Sequence, residues 1–300
     1  MTNDERYMAR CLQLARYGEL MTAPNPMVGA VIVHENRIIG EGWHRAYGGP
    51  HAEVNAVQSV SSDDEALLRE ATIYVSLEPC SHWGKTPPCA ELLVEKGFRR
   101  VVVGTPDPNE KVAGRGIERL RKAGAEVVVG MLEAECRWLN RKFFMQHEHH
   151  RPWITLKWAE SADGFIDRRR ESREKDGEAV KFSTPWTQML VHRLRATHEA
   201  ILVGRRTWEL DQPSLTTRLW PGRNPERVIL SSSDTSLQER ISPYQSVLVE
   251  GGAQTLQSFI DADLWDEAYI ERSDIVLGDG IKAPKIQTEP KGRPIHVNFA

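Results

Sequence analysis

Pro50-His51-Ala52-Glu53 and Glu78-Pro79-Cys80-Ser81-His82-Trp83-Gly84-Lys85-Thr86-Pro87-Pro88-Cys89 are the stretches whose reading decides this chain. Between them they supply one imidazole, two thiols and a carboxylate. A catalytic zinc takes three protein ligands and keeps a fourth position for water. His51, Cys80 and Cys89 match that set, which leaves Glu53 free as a proton shuttle. Zinc lowers the pKa of water to about 7, so hydroxide is available at neutral pH. A carboxylate beside it can take the water proton and deliver protons to a ring nitrogen and a departing ammonia. The donor set therefore implies hydrolysis of an amino group from a nucleobase-like ring. A structural zinc would want a fourth protein ligand. His82 is the one nearby candidate, and we read it as a substrate-pocket residue instead.

The flanking residues place these groups. Val54-Asn55-Ala56-Val57 continues from His51 with helical spacing, and Pro50 suits a first helical turn. Ala71 to Leu77 is β-branched and apolar, which predicts a buried strand running into Pro79-Cys80. Cys89 to Lys96 predicts a short helix stopped by Gly97. The three ligands would then lie near helix N-termini, where the macrodipole favours thiolate over thiol. Two cysteines alone could be small buried hydrophobes; the conjunction with His-x-Glu and a strand leading into Cys80 argues otherwise.

Working outward, residues 1 to about 145 alternate helix and strand. Glu5 to Tyr17 reads as an amphipathic helix, and Val28 to His34 and Arg37 to Trp43 as strands around a turn at Glu35-Asn36. Arg100 to Gly104 and Glu126 to Val129 are further strands, and Ile117 to Ala123 is a helix ending at Gly124. Such alternation implies a three-layer α/β sandwich. Gln146 to Pro152 reads as a linker, and its histidines as solvated rather than metal-binding. A second α/β unit begins at Trp153, with strands at Trp153 to Trp158, Ala200 to Val203, Arg227 to Leu230, Ser246 to Glu250 and Glu267 to Glu271. Thr184 to Ala196 and Leu256 to Asp261 are helices between them, and the charged run Asp167 to Glu178 reads as a solvated loop.

The chain has 300 residues, enough for about two domains. Its 39 basic and 42 acidic residues give a formal charge of −3, which argues against an extended nucleic-acid surface. The first twenty residues lack an apolar signal-peptide core, and no stretch has the apolar length of a membrane span. Four cysteines, two of them expected on zinc, fit a reducing cytoplasm better than a disulfide framework. Cys11 and Cys136 are expected to be packed thiols.

The second unit has no Gly-x-Gly-x-x-Gly fingerprint. It has Val249-Glu250-Gly251-Gly252, a strand entering glycines that let backbone N–H groups approach a phosphate. It also has Gly204-Arg205-Arg206-Thr207, followed by Asp211 to Arg218, whose arginines could hold phosphates or be a solvated surface. Physics alone suggests a phosphate-ligand binder.

At these motifs the chain resembles the bifunctional riboflavin-biosynthesis family, a pyrimidine deaminase fused to a ribosylaminouracil phosphate reductase. The matching pieces in the first half are Pro24 to Gly29, Pro50 to Glu53, Glu78 to Cys89 and Asp107-Pro108-Asn109. The long Cys80 to Cys89 gap is characteristic of that family and unlike the short Cys-x-x-Cys of most nucleic-acid deaminases. In the second half they are Lys157 to Gly164, His192 to Ala196, Thr207 with Asp211 to Arg218, and Glu250-Gly251-Gly252. The resemblance implies a cytidine-deaminase-like three-layer α/β/α domain over residues 1–145, a linker over 146–152 and a dihydrofolate-reductase-like α/β domain over 153–300. It implies deamination of a diamino-ribosylaminopyrimidinone 5′-phosphate, with Zn2+, and then reduction of ribosyl to ribityl by NADPH. Asn25, His82, Lys85, Asp107 and Asn109 match deaminase substrate-binding positions. Ala159, Thr207 and Asp211 match cofactor positions; Arg195, Leu215, Arg218 and Glu250 match reductase substrate positions. The family habit also suggests a homo-oligomer acting on small molecules, without nucleic acid or membrane.

The second half departs from the family. Only Ser231 to Gln245 separates two strands where a further strand and helix are expected, and the chain stops early after Gly278-Asp279-Gly280. Ala179 and Lys181 stand near positions where the family tends to have serine and tryptophan. Two rival readings follow: a deaminase with an inert second domain used for assembly, and a nucleic-acid deaminase.

Overall fold

The computed structural model describes residues 1–83, 87–109, 113–231, 236–286 and 292–298. The chain divides into two units, Met1–His149 and His150–Ala300. The first contains α1 (Asn3–Ala15), β1 (Gly29–His34), β2 (Arg37–Trp43), α2 (Ala52–Gln58), β3 (Thr72–Val75), α3 (Cys89–Lys96), β4 (Arg100–Val103), α4 (Arg115–Lys122), β5 (Glu126–Val129), α5 (Glu133–Leu139) and α6 (Arg141–His149). Its sheet runs β2-β1-β3-β4-β5. β1 is antiparallel to β2 and β3, and β3, β4 and β5 are parallel. Glu35 and Asn36 both have positive φ, 48° and 63°, as a tight turn between twisted strands requires.

Alternation along the strands builds the layers. Ala30, Ile32, Ile73, Val75, Val101 and Val103 share one face with Ala52 and Ala56 of α2, Leu93 of α3 and Leu120 of α4. Val31, Val33, Tyr74 and Val102 face the other way, onto Met8, Cys11 and Leu12 of α1 and Cys136 of α5. The three-layer expectation holds, and Cys11 and Cys136 are packed thiols.

The expected linker does not begin at Gln146. Residues 146–149 continue α6, because Phe143 and Phe144 are buried on one helix face. His147 packs on the Phe143 ring with centroids 4.4 Å apart, and Arg137 grips Glu148. The helix ends where His150 turns to positive φ ahead of Pro152.

The second unit contains β6 (Trp153–Glu160), β7 (Phe165–Asp167), α7 (Arg173–Asp176), α8 (Pro185–Ala196), β8 (Ala200–Gly204), α9 (Arg205–Asp211), β9 (Glu226–Leu230), α10 (Leu237–Ile241), β10 (Ser246–Val249), α11 (Ala253–Asp261), β11 (Glu267–Arg272), β12 (Ile281–Lys282) and β13 (Ile295–Val297). Its main sheet runs β13-β11-β6-β10-β8-β9, with every neighbouring pair parallel. Ile154, Leu156, Ala200, Leu202, Val247 and Val249 pack on α11 through Leu256 and Phe259. Ile201, Val203 and Leu248 pack on Leu194 of α8 and Trp208 of α9. Between β9 and β10 the described residues form α10 and no strand.

Candidate metal centre and second-unit cavity

His51 is the N-cap of α2 and Cys89 is the first residue of α3. Pro50 therefore lies one residue before the cap rather than inside the first turn. Cys80 sits on the loop after β3. The His51 Nδ1 lies 3.3 Å from the Cys89 Sγ and 3.5 Å from the Cys80 Sγ. The three donor atoms all lie within 4.8 Å of one another, and the set could hold a metal ion. His82 is not part of it. The backbone N–H of Cys89 donates to the Cys80 Sγ at 3.3 Å, so the start of α3 favours the thiolate. The Cys80 thiol is held down to about 4, first by the Cys89 thiol and then by His51, against burial. Two thiols and one ring nitrogen converging from three segments form a donor set that suits zinc.

Glu53 is the second residue of α2, 3% exposed. Burial pushes its carboxyl up to about 7, with the His51 ring opposing. A carboxyl poised near neutrality can both accept and return a proton.

Two polar loops flank the ligands. The Asn25 Nδ2 donates to the His44 Nε2 at 3.1 Å, and the His44 Nδ1 lies 3.0 Å from the Pro50 carbonyl. An amide donor on Nε2 requires the Nδ1–H tautomer, which then donates to Pro50. His44, 3% exposed, thus ties Asn25 to the residue preceding the ligand His51. Sequence reasoning missed His44; its only signal was a histidine seven residues before His51, at the end of a strand. On the other side Asp107 folds onto its own loop, its Oδ1 accepting the Asn109 N–H at 2.8 Å. Burial pushes the Asp107 carboxyl up to about 6. His82 is exposed, and Lys85 lies outside the described residues.

The second unit holds a cavity of about 480 Å³. It opens where β6 and β10 end, the carboxyl edge at which parallel sheets bind ligands. Of the expected residues Ala159, Asp211, Arg195 and Glu250 line it; Thr207, Leu215 and Arg218 do not. Arg195 is not free for a phosphate. Its Nε and Nη2 grip Glu250 at 2.8 and 2.7 Å, and its Nη1 holds the Thr216 carbonyl. Leu215 is buried in the Ile201, Val203 and Leu248 cluster. Arg218 is exposed, with only the Ser214 and Thr216 hydroxyls as partners among the described residues.

The charged run is not simply solvated. Arg170 is buried, and its Nη2 reaches Asp167 at 2.7 Å and Asp211 at 2.8 Å. Beyond it Arg173, Glu178, Ala179, Val180 and Lys181 stay largely exposed but form a wall of the cavity. Asp211 is correspondingly engaged by Arg170. Lys157 also lines the cavity and has no hydrogen-bond partner among the described residues. Burial lowers its pKa, with Glu250 and Glu271 opposing. Its one signal in the sequence is alternation with Leu156 and Trp158, which pack in the core and leave Lys157 on the opposite face of β6.

Near the cavity the two glycine motifs meet. A Cβ on Gly204 would lie 2.5 Å from the Thr255 Oγ1, one on Gly251 2.8 Å from the Thr255 Cβ, and one on Gly252 3.1 Å from the Thr207 Oγ1. The starts of α9 and α11 therefore approach closely, and helix starts leave backbone N–H groups without an intrahelical partner. Helix starts of this kind are where a nucleotide phosphate would be held, and the two glycine turns are the candidate cradle.

The comparisons with known proteins bear on both units. Residues 1–105 match the cytidine and deoxycytidylate deaminase zinc-binding region, and residues 152–242 match the RibD C-terminal domain. The riboflavin biosynthesis protein RibD of Bacillus amyloliquefaciens is 42% identical over 335 aligned positions, covering 94% of this chain and 87% of that protein. The chain belongs to the RibD family. RibD of Aquifex aeolicus is also 42% identical, over 76% of this chain and 61% of its own length. A solved Thermotoga maritima structure, titled a diaminohydroxyphosphoribosylaminopyrimidine deaminase and 5-amino-6-(5-phosphoribosylamino)uracil reductase, is 36% identical. It covers 93% of this chain and 89% of its own, with a TM-score of 0.82. The first unit is thus a zinc-binding deaminase domain and the second a RibD reductase domain. The 335 aligned positions exceed the 300 residues here, so the Bacillus RibD has stretches with no counterpart in this chain.

Proposed function

We propose that the first unit deaminates 2,5-diamino-6-ribosylamino-4(3H)-pyrimidinone 5′-phosphate, and that the second reduces the ribosyl group of the resulting aminouracil to ribityl with NADPH. Membership of the RibD family supports both steps. The observation that carries the first is the convergence of His51, Cys80 and Cys89 beside buried Glu53. A zinc ion held by the three would act as a Lewis acid on water. Glu53 would take the two protons of the attacking water in turn, passing the first to the ring nitrogen and the second to the leaving ammonia. Asn25, Asp107 and Asn109 hold the pyrimidine edge; His82 and Lys85 belong to the same pocket in this reading.

For the second step the carrying observation is Lys157, without a hydrogen-bond partner among the described residues, in a cavity beside the Gly204 and Gly251-Gly252 cradle. NADPH supplies a hydride when bound there, with Ala159, Thr207 and Asp211 on its side of the site. Lys157 gives the proton that the reduced carbon–heteroatom bond requires. Arg195, paired with Glu250, holds the Thr216 carbonyl and so the segment that carries Arg218, and Arg218 would be a cation for the substrate phosphate. Among the described residues no helix is long and apolar enough to cross a membrane. A cytoplasmic homo-oligomer acting on small phosphorylated pyrimidines, not on nucleic acid, completes the reading.

The test supplies the purified chain with the already deaminated ribosylaminouracil phosphate and follows NADPH oxidation. Turnover supports a two-step enzyme. Its absence, in protein that still deaminates the pyrimidine, favours the alternative raised by the short segment before β10: a deaminase whose second unit serves assembly.

A further inference from the structure

Glu78 has a role that the catalytic reading leaves unused. It sits two residues before Cys80 and is 4% exposed. Its Oε1 accepts the N–H groups of Gly116 and Ile117 at 2.9 and 3.2 Å. Its Oε2 accepts those of Gly114 and Asp107 at 2.9 and 3.2 Å. Among the described residues no cation pairs with it. One buried side chain thus collects four backbone donors from two segments: the Asp107 turn and the start of α4. Its own N–H donates to the Thr105 carbonyl at 3.0 Å, which anchors the same loop from the other side. The fit is close, since a Cβ on Gly116 would lie 2.0 Å from the Pro79 carbonyl oxygen. Pro79 is the residue between Glu78 and Cys80.

From this geometry we infer that Glu78 is a positioning residue for deamination, holding the Asp107–Asn109 turn in register with the Cys80 segment. The inference rests on the deaminase reading of the first unit. A carboxylate offers two acceptor oxygens and about four lone-pair sites. A carboxamide offers one oxygen, and its NH2 group would confront N–H donors. The Glu78→Gln substitution therefore frees the turn without changing side-chain volume. The metal ligands need not be affected, because the Cys80 Sγ takes its N–H from Cys89.

The experiment measures zinc content, deamination kinetics and backbone amide exchange in the full-length chain and in E78Q. We expect E78Q to keep its zinc, to raise KM for the pyrimidine by about tenfold, and to change kcat much less. Amides of Asp107, Gly114 and Gly116 should exchange faster. Glu78→Asp, which keeps the acceptor count one methylene shorter, should recover part of the KM loss. Unchanged KM and unchanged amide protection in E78Q would overturn the inference. So would zinc loss matching that of Cys80→Ala, since Glu78 would then serve the metal and not the turn. If E78Q does not accumulate as folded protein, E78D alone decides: a raised KM with zinc retained supports the role, and wild-type kinetics sink it. Absence of deamination in the unaltered chain is distinct, for it overturns the deaminase assignment and this inference with it.

Discussion

Glu53 occupies the first turn of a helix whose cap is a ligand, and its carboxyl is pushed up to about 7. A Glu53→Gln variant keeps volume and zinc but cannot shuttle protons. We expect deamination to fall by about 10²- to 10⁴-fold with zinc content unchanged, checked by ammonia release and metal analysis. Retained activity would remove Glu53 from the mechanism. In the proposed mechanism Lys157 plays the matching part in the cavity of the second unit. Lys157→Met should remove NADPH oxidation, by about 10²-fold or more, while leaving deamination as it was. Full reductase turnover in that variant would show that the proton comes from elsewhere. Arg195 is instructive in the other direction. As a residue type it suits a phosphate, yet its fork is spent on Glu250 and on the Thr216 carbonyl.

Elements place those residues, and they are held by a few polar ties. The turn after β6 is one. Asp163 accepts from the Ser161 hydroxyl and from the N–H groups of Leu277 and Gly278. These bonds, Ser161 first, hold its carboxyl down to about 2, below the ordinary 3.8. The folded value is depressed, so the stabilisation is complete above about 3.8 and is lost as pH falls toward about 2. Asp163→Asn should accordingly be less stable than the parent at pH 5, and the gap should close on acidification to about pH 2. Denaturant midpoints at both pH values would read this; a gap independent of pH would contradict it. The elements themselves were largely legible in advance. β1 and β2 appear as expected because Glu35-Asn36 tolerates positive φ between two apolar runs. α6 was missed as an element over 146–149, since three histidines read as linker composition while Phe143 and Phe144 supply the buried face. The run Asp167 to Glu178 is mostly exposed, as its charge suggests, apart from Arg170. Charge predicts solvation on average, but Arg170 finds two carboxylates and is buried with them.

For the whole molecule, the two units have separate hydrophobic cores. Their chemistry should be separable too. Chelation of zinc should abolish deamination and leave NADPH oxidation by supplied aminouracil intact, with deamination restored by added zinc. Loss of both activities together would mean that the units depend on one another. The chain determined by itself what local pattern can encode: the ligand types and their spacing, the strand leading into Cys80, the glycines at helix starts, and the shortness of the segment before β10. Those properties depend on neighbours in sequence, through dihedral preference, periodicity and donor chemistry. Only the tertiary structure decided which groups meet. It brought His44 onto Asn25, gathered four N–H groups on Glu78, gave Arg195 to Glu250 and set Lys157 in the cavity wall. Such pairings join residues tens of positions apart, and they follow from the order of strands in each sheet, which spacing along the chain does not specify.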